Sequence, residues 1–83
     1  MAEIQIQIEA YGAVSAQLPE YLSVRCLVKA QVGDVLEQLV QQHPQAQHLI
    51  EQCACAIGED IVPRSFVLSQ DVTLVLLSPV AGG

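Results

Sequence analysis

The final six residues, Ser78-Pro79-Val80-Ala81-Gly82-Gly83, are where residue type and spacing point most directly to chemistry. Pro79 fixes its own φ and biases Ser78 toward an extended conformation. Fully extended, the four small residues from Val80 onward reach roughly 13 Å. Gly82 and Gly83 place no Cβ beside the terminal carboxylate. Such a tail can thread a narrow channel and present that carboxylate to another enzyme, because only glycine adopts the required backbone angles without cost. Chance is a poor explanation: two glycines at ~7% each coincide about once in two hundred pairs.

Other reactive side chains give weaker patterns. Cys53 and Cys55 are spaced as neighbours on one strand face, with His43 and His48 nearby. That spacing is not the C-x₂₋₄-C of zinc sites, and free cysteine is commonly a small buried hydrophobe. No cation nearby in sequence lowers the thiol pKa values, so redox sensing by Cys26, Cys53 or Cys55 is not expected. Asp34, Glu37, Glu59 and Asp60 read as solvated carboxylates, and no nucleophile–base pair is legible. The chain is therefore not expected to be an enzyme on its own, nor to bind a metal or cofactor.

The elements that must position the tail follow from periodicity. Ile4, Ile6 and Ile8 alternate with Glu3, Gln5, Gln7 and Glu9, the period of a half-buried strand. Residues 10–21 hold Gly12 and Pro19 and read as an irregular connection. Leu22, Val24, Cys26 and Val28 share one face of a second strand, with Leu27 an apolar exception on the other. Val32, Val35, Leu36, Leu39 and Val40 then mark one face of a helix, ended by His43-Pro44. Ala46, Leu49, Ile50 and Cys53 suggest a short helical turn. A third strand over 53–57, a turn at Gly58-Glu59-Asp60, a stub at Ile61-Val62 and a final strand over 72–77 complete the order. The last strand is apolar on both faces, so it belongs in the sheet centre beside the first. One main helix on a mixed sheet of four to five strands is α+β, of the ubiquitin-like β-grasp type. Residues 1–77 would form the domain, and 78–83 a flexible, extended tail.

Composition excludes several classes. Hydrophobic residues make up 52% of the chain and charged residues 14%, against about 25% charged in an average domain. Eleven glutamines replace part of the missing charge. The chain is too apolar for disorder. Three cations against nine acids cannot make the phosphate contacts of a nucleic-acid binder. The net charge of −6 suits basic protein partners or solubility. Without a secretory leader or a ~20-residue apolar run, and with three unpaired cysteines, a cytoplasmic location and no membrane association are expected.

The Pro79-Val80-Ala81-Gly82-Gly83 tail follows an apolar strand on a β-grasp order, and in this the chain resembles the sulfur-carrier family. The likeness is to the small subunit of molybdopterin synthase, with the thiamine-pathway carrier as its neighbour. The helix start Ala30-Gln31-Val32-Gly33-Asp34-Val35-Leu36 and the length of 83 support it. The resemblance implies that an E1-like enzyme uses ATP to adenylate Gly83. A sulfurtransferase would then convert it to a thiocarboxylate. The tail would enter the large catalytic subunit of a heterotetramer and give sulfur to a cyclic pterin precursor. A thiazole pathway, another sulfur-transfer pathway, or conjugation as a ubiquitin-like modifier are the alternatives.

Three positions depart from the family pattern. Ser78 stands where a proline is usual, with an effect expected on stiffness alone. The final turn is Ser69-Gln70-Asp71, and the loop Tyr11-Gly12-Ala13 lacks the usual charges. Since the helix covers only one sheet face, Leu27, Val75 and Leu77, with Ala54 and Ala56, are expected to form an apolar partner interface on the other.

Overall fold

The computed structural model describes residues 2–79. Strand β1 (Glu3–Tyr11) is followed by a 3-10 helix (Ala13–Gln17) and strand β2 (Leu22–Leu27). Helix α1 (Val32–Gln42), a 3-10 turn (Pro44–Ala46) and helix α2 (Gln47–Gln52) come next. Strands β3 (Ala54–Ile57), β4 (Asp60–Val62) and β5 (Val72–Leu77) close the fold. All five strands form one sheet in the order β2-β1-β5-β3-β4. Only β1 and β5 run parallel; the other pairs are antiparallel. This is the mixed sheet of a ubiquitin-like β-grasp, and the expected pairing of first and last strands holds. It carries one main helix, α1, and the short second helix, α2, that the Ala46, Leu49, Ile50 and Cys53 spacing suggests.

One sheet face is the core. Ile4, Ile6 and Ile8 of β1, Val24 and Cys26 of β2, and Leu74 and Leu76 of β5 are buried against Val32, Val35, Leu36 and Leu39 of α1. Leu22 and Val72 are only half-buried at its margin. The connection 10–21 is less irregular than its glycine and proline suggest. Ala10 and Tyr11 continue β1, and the 3-10 helix drives Val14 into the core, with Leu18 buried just after it.

The ends of α1 show why it starts and stops where it does. The Gln31 backbone N–H donates to Asp34 Oδ2 at 2.9 Å, half of a reciprocal capping box. The Val32 and Gly33 N–H groups donate to the carbonyls of Phe66 and Arg64 at 2.9 and 2.8 Å, so the 63–68 segment seals the helix start. Ahead of the helix, Lys29 turns the chain at φ +79° and donates its N–H to the Leu68 carbonyl at 2.7 Å. Cys53 belongs to no strand, contrary to the sequence expectation. It is the C-cap of α2 in extended geometry, its N–H donating to the Ile50 carbonyl at 3.2 Å, so the strand begins one residue later, at Ala54. Arg64 closes that end: its Nη2 donates to the carbonyls of Ile50, Glu51 and Cys53 at 3.3, 3.0 and 3.0 Å. Among the described residues no helix is long and apolar enough to cross a membrane.

Candidate functional site

The register fixes what lies on the sheet face away from the helices. On β5 that face carries Thr73, Val75 and Leu77, because Val72, Leu74 and Leu76 alternate toward the core. Val75 sits between Glu9 and Ala56, and Ala56 in turn faces Ile61. One row further, Leu77 sits between Tyr11 and Ala54. These two rows form an apolar patch at the end of β5 from which the tail departs. Ile61 is 67% exposed and Tyr11 55%, whereas Ala56 is only 7% exposed between its neighbours. Glu9 borders the patch, and Tyr11 donates its hydroxyl hydrogen to Glu9 Oε2 at 3.4 Å.

Leu27 is exposed as expected, yet it is not part of this patch. It pairs with Glu3 at the opposite end of β1. Arg25–Gln5 and Ser23–Gln7–Thr73 form polar rows between the two places. The structure thus brings Val75 and Leu77 together with Ala54 and Ala56, and sets Leu27 apart. It adds Tyr11 and Ile61, which the sequence reading left out. Alternation within the Asp60–Val62 stub was a usable signal for Ile61, since Val62 is buried and its neighbour must point the other way.

The tail leaves the body at a tight junction. Ser78 donates its N–H to the Tyr11 carbonyl at 3.1 Å, extending the β1–β5 ladder by one residue. Its Oγ accepts the Val14 N–H at 2.8 Å. Gly12 makes this approach possible: its φ is +86°, and a Cβ there would lie 2.9 Å from Ser78 Cβ. A proline at position 78 could make neither bond, so Ser78 changes more than stiffness. Pro79 is exposed. Val80, Ala81, Gly82 and Gly83, assigned above to threading and chemistry, lie outside the described residues.

The cysteines are packing residues in this geometry. Cys26, Cys53 and Cys55 are buried free thiols, and desolvation is the main cause raising the pKa of each. For Cys53 the Ser78 hydroxyl and the Arg64 charge oppose that rise. The Cys53 thiol donates to the Leu49 carbonyl at 3.2 Å and lies 3.8 Å from Ser78 Oγ. His48 meets Gln52 on α2, while His43 caps α1. Among the described residues no three metal-ligating side chains gather.

Comparison with known proteins agrees with this fold. No curated protein sequence matches the chain. The small archaeal modifier protein SAMP1 of Haloferax volcanii superposes with a TM-score of 0.80 at 19% identity, over 95% of this chain and 99% of its own. A chain of the complex of subunits 1 and 2 of the molybdopterin-converting factor from Helicobacter pylori matches with a TM-score of 0.68 at 17% identity, over 96% of this chain and 100% of its own. A ubiquitin of Caldiarchaeum subterraneum gives 0.68 at 15% identity, over 99% and 100%. At these identities the likeness is one of fold. The ThiS family model matches residues 13–83, most of the chain and all of its tail. The chain is a member of the ThiS family of small ubiquitin-like sulfur carriers.

Proposed function

We propose that this chain is the sulfur-donating small subunit of a molybdopterin synthase. The observation that supports it most is the central strand β5, which leads directly into a Gly-Gly tail in a member of a sulfur-carrier family. In this reading a Gly83 carboxylate oxygen attacks the α-phosphorus of ATP on an E1-like enzyme, and pyrophosphate leaves. Sulfide-level sulfur released by a sulfurtransferase attacks the acyl carbon and displaces AMP, giving the thiocarboxylate. The tail then enters the large catalytic subunit, where the thiocarboxylate sulfur bonds to a cyclic pterin precursor and water cleaves the Gly83 C–S bond, returning the carboxylate. This chain binds no cofactor of its own. The Tyr11, Ala54, Ile61, Val75 and Leu77 patch docks both partners in turn, since it borders the tail root. Glu9 at its rim and the net charge of −6 favour a partner surface with basic residues around an apolar centre.

A second reading, conjugation through Gly83 as a protein modifier, draws support from the likeness to SAMP1. Intact-mass analysis of chain from a native host separates the two. Exchange of oxygen for sulfur at the terminus supports the carrier, and isopeptide adducts support the modifier. In a reconstituted synthase, deleting Gly83 should abolish pterin sulfuration. Ile61→Asp should weaken binding to the large subunit about tenfold or more while leaving the melting temperature nearly unchanged. Full sulfuration without Gly83 would end the proposal, and sulfur delivery to a thiazole synthase would move it to the thiamine pathway.

A further inference from the structure

We infer that Ser78 is a positioning residue that aims the tail, acting through a clasp with Gly12 and Val14. This rests on the tail being the delivered group. Three contacts converge on one residue at the point where the ladder ends. The Ser78 N–H is tied to the Tyr11 carbonyl, its Oγ takes the Val14 N–H, and its Cβ fills the space left by Gly12. The Val14 N–H lies in the first turn of the 3-10 helix, where backbone donors lack helical partners. Ser78 supplies that partner from 64 residues away in sequence.

The clasp holds the tail differently from a proline. A proline ring would stiffen position 78 relative to its own neighbours, whatever the rest of the domain does. The clasp instead fixes it to the segment from Tyr11 to Val14, so the tail direction is set by that loop. Pro79 follows immediately and carries the constraint one residue further. Four residues remain beyond it, a span of roughly 13 Å. Releasing the root would add freedom that has to be lost again whenever the tail enters a partner channel.

Ser78→Ala in the full chain keeps the Tyr11 ladder bond and removes the Val14 acceptor together with the 3.8 Å contact to Cys53 Sγ. Amide exchange at Val14 should accelerate about tenfold, the loss of one hydrogen bond at a frayed turn. With ATP and an E1-like enzyme that charges the wild-type chain, KM for the carrier should rise about tenfold with kcat unchanged. Ser78→Thr, which keeps the hydroxyl, should restore both. Backbone ¹⁵N relaxation of the Val80 and Ala81 amides needs no partner and should report lower order in Ser78→Ala than in wild type. Faster Val14 exchange with unchanged KM and unchanged tail order overturns the inference, as does unchanged Val14 exchange. A wild-type chain that no E1-like enzyme charges, but whose tail order still depends on Ser78, leaves the clasp standing and removes the sulfur-carrier reading instead.

Discussion

Gly12→Ala and Gly58→Ala add the same methyl group to two glycines with positive φ, and the structure assigns them different costs. Gly12 has φ +86° and ψ −154°, a region that essentially only glycine occupies. Placing alanine there costs about 2 kcal/mol in backbone strain. Its Cβ would also come within 2.9 Å of Ser78 Cβ, and Ser78 cannot retreat without giving up a hydrogen bond. Losing that bond adds about 1 kcal/mol, for a total of about 3 kcal/mol. Gly58 has φ +62°, and nothing lies within 4 Å of its added Cβ. Its substitution costs about 1 kcal/mol of conformational strain alone. In a domain of this size each kcal/mol lowers the melting temperature by about 6 °C. Thermal unfolding followed by circular dichroism should therefore show a fall of about 18 °C for Gly12→Ala and about 6 °C for Gly58→Ala. A fall of only about 12 °C for Gly12→Ala, the backbone strain alone, would mean that the Gly12–Ser78 contact contributes nothing, and the tail root would not be clasped.

Two further outcomes follow from the interior. Arg64→Met removes the donor shared by three carbonyls at the end of α2 and should lower stability by about 1 kcal/mol, read as a reduced urea midpoint, with Arg64→Lys recovering part of it. The three buried thiols hold their protons to higher pH in the folded chain than in the unfolded one, so their contribution is intact below about pH 9 and is lost as pH rises beyond it. Urea midpoints should be level from pH 6 to 8 and decline above about pH 9, and a thiol reagent at pH 8 should label the chain only after unfolding.

Much of this fold was legible because its strands alternate strictly. Ile4, Ile6 and Ile8 faced one way in the sequence and do so in the sheet, and the doubly apolar β5 lies at the sheet centre. The helix start and stop were readable from Val32 to His43-Pro44 for the same local reasons that cap it. What escaped were contacts between segments distant in sequence. Cys53 read as a strand residue because Cys53, Cys55 and Ile57 alternate, whereas its place is fixed by α2 and by Arg64, eleven residues on. Leu27 read as a neighbour of Val75 because both are apolar on outward faces. Only the register, Leu27 with Glu3 and Val75 with Glu9, separates them. Ser78 looked like a missing proline, and its partners Gly12 and Val14 lay in a loop with no pattern of its own.

The arrangement of β1 between its two partners has a bearing on self-reaction. Lys29 is the one lysine of the 83 residues. It follows Leu27, which pairs with Glu3, whereas the tail departs beside Tyr11 at the other end of the same strand. Eight residue steps separate those ends, about 26 Å at ~3.3 Å each. The six residues from Ser78 to Gly83 make five steps that span at most about 18 Å, and the four-carbon stem of Lys29 adds about 6 Å. Were Gly83 activated as proposed, its acyl group would therefore fall short of the Lys29 amine of its own molecule. An amide between Gly83 and Lys29 would have to join two copies, so the proposed reactive terminus would not close into a ring through Lys29.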